Sequence, residues 1–213
     1  IQRLMSILPK EPRLTVGIMD FQREVRGILN GVFCIEGFGT LSGRFTARAV
    51  FDAIELFDES GSVSATASSI RLSAVSDATF TLFDVIIGNT FHWERKEEHT
   101  FRGSLVFVLR PNGTFAVIND IGLEGYLESV ISSEMSAAAP LEFLKAHAIM
   151  SRSWLIAAIK RKNDEKGAHK HKQDDGQINS PGEIIRWYEQ EEHDIYDVCS
   201  DDHCQRYQGI SRI

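Results

Sequence analysis

Cysteine and long apolar runs are scarce in this chain of 213 residues, and each scarcity excludes a class of protein. Three cysteines are too few for a small scaffold held together by disulfides. No apolar run approaches the roughly 20 residues of a membrane-spanning helix, so we expect no transmembrane segment, and no signal peptide is visible in this chain. The formal net charge of -7 leaves no basic footprint, so no nucleic-acid partner is predicted.

The apolar content of 43% and charged content of 25% are typical of a soluble globular protein. In the first half of the chain, β-branched and aromatic residues mix with polar ones and are separated by Gly, Asp and Ser, which predicts strands. The segments with this pattern are 14–19, 31–37, 45–51, 68–75 and 79–87. A hairpin is predicted where 102–109 and 114–118 flank the turn at 111–113.

The second half changes to a helical period. Residues 122–133 form the first predicted helix, with Leu123, Tyr126, Leu127, Val130 and Ile131 on its apolar face. Residues 136–139 break the pattern, and Pro140 suits the first turn of a second helix that we expect to run to about Lys162. A hydrophilic loop is predicted at 163–181, and the segment 197–209 is predicted to be a Cys/His loop followed by a polar-aromatic strand. The predicted fold class is α+β, with a β-rich N-terminal half with hairpins followed by two helices that carry the site.

Glu134 stands alone in the break between the two predicted helices. A carboxyl at such a junction, facing basic residues on the following helix, can be held as a single catalytic acid beside a polar substrate. From position alone, the commoner interpretation is a solvated glutamate near a helix end.

Lys145 and Arg152 lie seven residues apart with Ala148 between them, so the three share one face of the second helix. The small Ala148 leaves room beside the cations for a substrate or for Glu134. The commoner interpretation is two solvated cations on an amphipathic helix. Arg152 lies among apolar residues and is expected to have a carboxylate partner, whereas His147 is interpreted as a packing residue. Leu141, Leu144, Ile149 and Leu155 are expected to anchor the helix.

Cys199 and His203 place a thiol and an imidazole at a spacing compatible with a metal site, although further ligands would be needed. Two alternatives stay open, a disulfide between Cys199 and Cys204 or two free thiols. The segment 91–99 also concentrates aromatic and charged residues that could stack on sugars or supply a second acid, Glu94. An edge strand with outward charges is the preferred interpretation.

The order and spacing of several motifs closely resemble the SpoIID/LytB family (stage II sporulation protein D-like), in its Gram-negative branch. The resemblance begins weakly at 14–19, strengthens at FRGSLVF (101–107) and is strongest over 118–154, which contains SSEMSA. It returns at CSDDHCQRYQG (199–209). The resemblance implies a peptidoglycan lytic transglycosylase, which cuts between N-acetylmuramic acid and N-acetylglucosamine and leaves a 1,6-anhydro end. It implies Glu134 as the catalytic acid and base, and Lys145 and Arg152 as further residues needed for activity.

Other roles follow from the same resemblance. Ser133, Gln205 and Tyr207 are expected to bind substrate. Cys199 and His203 match the positions that carry zinc in some members, so a structural zinc is expected there, while catalysis itself should require no cofactor.

The resemblance also bounds the organisation and the partners of the protein. We expect a single SpoIID-like domain over 1–213, with a β-rich lobe inserted at about 38–100 and a C-terminus that is incomplete because family domains usually continue further. Peptidoglycan glycan strands are the expected partner and the location is extracytoplasmic, in the periplasm or at the cell surface. The alternatives are a non-catalytic wall-binding protein that enhances an N-acetylmuramoyl amidase, and a zinc-dependent hydrolase.

Overall fold

The computed structural model describes residues 11–88, 92–136, 138–167 and 193–210. Eleven strands in these ranges form one sheet and two helices follow the tenth strand, so the predicted α+β class is confirmed. The strands are β1 Arg13–Gln22, β2 Glu24–Ile35, β3 Gly39–Val50, β4 Ala53–Phe57, β5 Val63–Ala67, β6 Ser69–Ala74, β7 Thr79–Ile87, β8 Arg95–Phe101, β9 Ser104–Leu109, β10 Phe115–Gly122 and β11 Val198–Cys199. The helices are α1 Leu123–Glu134 and α2 Leu141–Gly167.

The sheet order is β11-β1-β10-β9-β6-β2-β3-β4-β5, and β7 pairs with both β2 and β8. The pairing of β1 with β11 is parallel, and the other described pairs are antiparallel. The β-rich lobe predicted at about 38–100 spans β3 through β8, of which β3, β6 and β7 pair with β2, and β6 also pairs with β9. Its extent as a lobe stays a prediction. The charged segment at 92–99 lies mainly on β8, which pairs with β7 alone among the described strands, as expected for an edge strand.

The predicted hairpin forms from β9 and β10, with Leu109 opposite Phe115. Gly113 in the connecting turn has a φ of 72°, a conformation that glycine adopts without steric cost. The hairpin matters for function because β10 passes directly into α1, and its position therefore sets the start of that helix.

Both predicted helices are present. On α1 the expected apolar face is buried, with Tyr126, Leu127 and Val130 at most 2% exposed. The second helix, α2, begins directly after Pro140 and continues past its predicted end at Lys162 to Gly167. The predicted loop therefore begins later than expected, and its remaining residues, 168–181, lie outside the described ranges. No helix in the described ranges has both the length and the apolar character that a bilayer crossing requires.

The strands β1, β10 and β9 are covered on both faces. Leu123, Tyr126, Leu127 and Val130 of α1, with Leu155 of α2, join the large core cluster on one face. On the other face, Val106, Ala116 and Ile118 form a smaller cluster with Ile195 and Tyr196. Strands β1, β10 and β9 therefore pack against the helices on one face and against residues 195–196 on the other.

The chain after the Cys/His loop differs from its prediction. Residues 205–208 have no regular secondary structure, and the short strand β11 precedes the loop instead of following it. The reason lies in its partners: the backbone N–H of Gln208 donates to Ser129 Oγ at 3.2 Å, and that of Arg206 donates to Glu134 Oε1 at 3.2 Å. These backbone groups bond to side chains of α1 and do not enter a strand ladder.

Candidate active site and candidate metal centre

Glu134 is the last residue of α1, where the chain turns toward α2. Its side chain is 26% exposed. One carboxyl oxygen, Oε2, lies 2.8 Å from His147 Nε2, and the other, Oε1, accepts the 3.2 Å hydrogen bond from the Arg206 backbone. Two different elements therefore hold the two oxygens, and the carboxyl is fixed in orientation yet still reachable, as a general acid must be.

The inner face of α2 explains why His147 meets Glu134. Ser151 and Leu155 are buried at 3% and 0% exposure, and His147 lies four residues before Ser151 on the same face. The interpretation of His147 as a packing residue therefore missed its contact with the carboxyl. Leu141 and Ile149 were expected to anchor the helix, but they are 65% and 63% exposed.

The two cations predicted beside Glu134 have other partners in this structure. Lys145 Nζ lies 2.8 Å from Glu142 Oε1 one turn earlier on α2. Arg152 pairs with Glu124 of α1, which supplies the expected carboxylate partner. The Arg152 side chain is 39% exposed, so it is not enclosed by apolar residues as expected. Their roles in activity stay predictions.

Several buried polar atoms on α1, α2 and segment 205–208 have no hydrogen-bond partner among the described residues. They are Tyr126 OH, Ser133 Oγ, His147 Nδ1, Gln205 Oε1 and Gln208 Oε1. Buried polar groups are normally satisfied, so a concentration of unsatisfied ones on α1, α2 and segment 205–208 indicates a place where water or a polar ligand binds. Ser133 and Gln205, which were predicted to bind substrate, belong to this group.

Tyr207, by contrast, lies in the core at 2% exposure. Its ring stacks on those of Tyr126 and Phe101, with centroids 5.1 Å and 5.7 Å away, and its hydroxyl donates to Asn119 Oδ1 at 2.5 Å. Burial raises the pKa of Tyr207, so the hydroxyl remains a donor. In this arrangement Tyr207 packs against Tyr126 on the buried face of α1. A direct contact between Tyr207 and substrate stays a prediction.

Four metal-ligating side chains meet beside β11. The ligand atoms of His193, Cys199, His203 and Cys204 all lie within 4.8 Å of one another. His203 Nδ1 is 3.7 Å from Cys199 Sγ and 3.5 Å from Cys204 Sγ, and His193 Nε2 is 3.3 Å from Cys204 Sγ. All three cysteines of the chain fall in the described ranges and are free thiols, so the disulfide alternative is not formed.

Two sulfur and two nitrogen donors are a complete set for tetrahedral zinc. The hydrogen bond with Cys204, and then that with His193, lowers the pKa of Cys199. The same bond between the thiols, together with burial, raises the pKa of Cys204. Cys199 is therefore a thiolate at neutral pH, the form that binds metal. Sequence reasoning named Cys199 and His203 but missed His193 as a ligand; a histidine six residues before Cys199 was the available signal.

The chain that carries His193, which we call the anchor segment (residues 193–197), is fixed to the sheet by an arginine. Arg110, 11% exposed, donates two hydrogen bonds of 2.6 Å to Asp20 and two of 2.8 Å and 3.1 Å to Asp194. The bonds to Asp20 and then to Asp194 raise the pKa of Arg110, and the pKa of Asp194 is lowered in return. A doubly bidentate arginine of this kind fixes geometry as well as charge.

Two further contacts orient the anchor segment. Asp197 Oδ2 accepts hydrogen bonds from the backbone N–H and the hydroxyl of Thr15 at 2.9 Å and 2.8 Å. The ring of Tyr196 lies 4.8 Å from that of His193 and directly over Gly17, where an added Cβ would be 2.6 Å from the ring. Gly17 therefore allows the close approach that places Tyr196, and with it His193, beside the cysteines.

Arg206 connects the candidate metal cluster to the Glu134 carboxyl. Cys204 is followed two residues later by Arg206, whose backbone N–H holds Glu134. The Arg206 guanidinium donates to Asp202 at 3.0 Å and 3.2 Å and lies 5.4 Å from the ring centroid of Trp93. A change in the conformation of the Cys/His loop should therefore shift the Arg206 backbone N–H and the Glu134 Oε1 atom that it contacts.

Residues 111–213 match the family model SpoIID, described as stage II sporulation protein. The matched range contains β10, both helices and all four potential metal ligands, so the site lies inside it. This match bears out the predicted SpoIID resemblance over residues 111–213. The family is associated with peptidoglycan-modifying activity, which suggests a cell-wall-related function.

A similar protein gives no more specific indication. An uncharacterized protein of Brachyspira hyodysenteriae is 37% identical over 59 residues, which cover 28% of this chain and 16% of that protein. The aligned part is therefore a small share of the relative's length. No solved structure matches the chain significantly.

Proposed function

We propose that this domain cleaves peptidoglycan glycan strands as a lytic transglycosylase, with Glu134 as its single acid and base. The observation that carries the proposal is the partly exposed Glu134 carboxyl, held through both oxygens beside buried polar atoms that have no partner in the described ranges. The SpoIID match supports the same substrate class. Because peptidoglycan lies outside the cytoplasm, the proposal implies an extracytoplasmic location.

The reaction needs one carboxyl. Protonated Glu134 gives its proton to the glycosidic oxygen as the bond from that oxygen to the anomeric carbon of muramic acid breaks. The resulting carboxylate then takes the proton of the muramic 6-hydroxyl, whose oxygen bonds to the same anomeric carbon. A 1,6-anhydro end forms, Glu134 is protonated again, and no water is consumed.

Hydrolysis would ordinarily require a second carboxylate to activate water or to form a covalent intermediate. Two of the carboxylates on neighbouring elements are engaged by arginines: Glu124 pairs with Arg152, and Asp202 with Arg206. This pairing favours the anhydro-forming reaction over hydrolysis.

We further propose that His193, Cys199, His203 and Cys204 hold a zinc ion with a structural role. All four protein positions of a tetrahedral shell are available, which is the pattern of structural rather than catalytic zinc. When bound, the metal would cross-link the anchor segment to the Cys/His loop. The protein residues would still perform the proton transfers. We therefore expect chelation to lower activity indirectly, because the Cys/His loop would lose its fixed conformation.

The test is mass spectrometry of peptide-free glycan strands incubated with the full chain, with Glu134→Gln and with Glu128→Gln. Glu128 lies on the same helix, 57% exposed and paired with Arg102, and is a matched control. We expect anhydro-ended fragments from the wild type and Glu128→Gln but none from Glu134→Gln, because an amide cannot transfer the proton. Equal product from Glu134→Gln would overturn the assignment.

A second candidate function is a wall-binding protein that enhances an amidase. One observation favours it: α2 exposes several large apolar side chains, as a protein-binding helix does. They are Leu141, Phe143, Ile149, Met150 and Ile156, each at least 48% exposed. In that case glycan strands would stay intact with every variant, and addition of the domain would raise the rate of an N-acetylmuramoyl amidase equally with Glu134 or Gln at this position.

A further inference from the structure

We propose that His147 is a positioning residue that donates a hydrogen bond to Glu134 Oε2 and thereby leaves Oε1 as the oxygen that exchanges the proton with the glycan. This inference rests on the proposed role of Glu134. It starts from the 2.8 Å contact between His147 Nε2 and Oε2, and from the longer 3.2 Å bond that Oε1 receives from the Arg206 backbone.

The surroundings of His147 determine which ring nitrogen carries the proton. Its side chain is 12% exposed, and Nδ1 is buried with no partner among the described residues. A buried N–H without an acceptor is rarer and costlier than an acceptor without a donor. A proton on Nδ1 would create such an N–H, so the proton belongs on Nε2 and the ring is neutral. Nε2 then donates to Oε2.

The consequence for Glu134 follows from carboxylic acid chemistry. When Oε2 accepts a short hydrogen bond it serves as the carbonyl oxygen, and the acidic proton sits on Oε1. When that proton leaves for the glycosidic oxygen, the new carboxylate already has a donor on each oxygen, one from His147 and one from Arg206. Donors that are in place before charge develops stabilise the transition state without reorganisation.

A lysine or arginine at this position would bring a permanent charge that favours the ionised carboxyl before substrate binds. A neutral imidazole donor stabilises the carboxylate less strongly and leaves the protonated acid accessible. The arrangement therefore suits a carboxyl that must act first as an acid and then as a base.

The kinetic test compares His147→Leu, which removes the donor at similar volume, with His147→Gln, which keeps an N–H donor. We expect kcat on peptide-free glycan to fall by about 10²-fold in His147→Leu with KM unchanged, and to recover to within about 10-fold of the wild type in His147→Gln. Ser151→Ala, a change on the same buried face, is the packing control. A His147→Leu variant with the wild-type kcat would contradict the proposal.

A spectroscopic test does not depend on activity. The 15N resonances of His147 in the wild-type chain, assigned by their absence in His147→Gln, should show a protonated Nε2 and an unprotonated Nδ1. Glu134→Ala should shift the Nε2 resonance. A proton on Nδ1, or resonances unchanged in Glu134→Ala, would overturn the inference even if glycan cleavage is established. Absence of cleavage by the wild type would instead overturn the proposed function and leave this readout valid.

Discussion

The two sides of the site are built in opposite ways. On the acid side, Glu134 has one side-chain contact and one backbone contact, and polar atoms around it lack partners in the described ranges. On the metal side, the anchor segment is fixed by Arg110 and by the contact between Asp197 and Thr15, and four ligand atoms converge within 4.8 Å. Unsatisfied groups suit a surface that binds a changing substrate, whereas dense pairing suits a part that must keep its shape.

This contrast implies different consequences for mutation. Changes on the acid side should alter kcat while leaving the free energy of unfolding nearly unchanged. Changes on the metal side should alter metal affinity and stability first, and activity only as a result, since Arg206 links the two sides.

Loss of the metal cluster should have the largest effect. Cys199→Ser removes the thiolate ligand, so we expect zinc content to fall from about one ion per chain to near zero, together with a clear drop in Tm and loss of glycan cleavage. Chelation should do the same to the wild type, reversibly on addition of zinc. Cys34→Ser, at an exposed thiol outside the cluster, is the control. Full metal content in Cys199→Ser would refute the site, as would a Tm indifferent to chelation.

Arg110→Met should have the next largest effect. The change leaves Asp20, 19% exposed, without its bidentate partner and frees the anchor segment from β9–β10. We expect a loss of about 2–3 kcal/mol in the free energy of unfolding and a weaker affinity for Co²⁺, measured by its ligand-field spectrum. Arg48→Met, at an exposed pair with Glu24, is the matched control and should change stability by less than about 1 kcal/mol. Unchanged Co²⁺ affinity in Arg110→Met would show that the anchor segment does not position His193.

Tyr207→Phe should have the smallest effect of the three. Removal of the hydroxyl leaves Asn119 Oδ1 without its donor in the core, at a cost of about 1–3 kcal/mol in the free energy of unfolding. Because the stacked ring is kept, kcat and KM should stay at the wild-type values under conditions where the variant is folded. A large rise in KM with unchanged stability would instead support the predicted substrate contact.

Much of the fold was predictable because local signals agree with it. The turn at 111–113 specifies the hairpin, and the 3.6-residue period specifies α1 and α2. The five-residue strands β4 and β5 were missed because their sequences, AIELF and VSATA, gain strand character only from pairing with neighbours. The strand expected at 205–208 was wrong because side chains of α1 take its backbone N–H groups.

The site was less predictable because it depends on long-range packing. Helical spacing places Lys145, Ala148 and Arg152 on one face of α2, but the contact with α1 turns the face of His147 and Ser151 inward. Long-range contacts bring His193 to the cysteines, among them the pairing of β1 with β11 and the bonds of Arg110 to residues 84 and 90 positions away in the sequence. The spacing of His193 from Cys199 marks it as a candidate ligand, but such long-range contacts decide whether it reaches the cysteines.

The most direct test of single-acid glycan cleavage is the mass of the fragments released from peptide-free strands in 18O-labelled water. A lytic transglycosylase takes no oxygen from water, so the new muramic ends should be anhydro and free of 18O, and their formation should require Glu134. Ends that carry 18O would show hydrolysis and contradict the proposed mechanism.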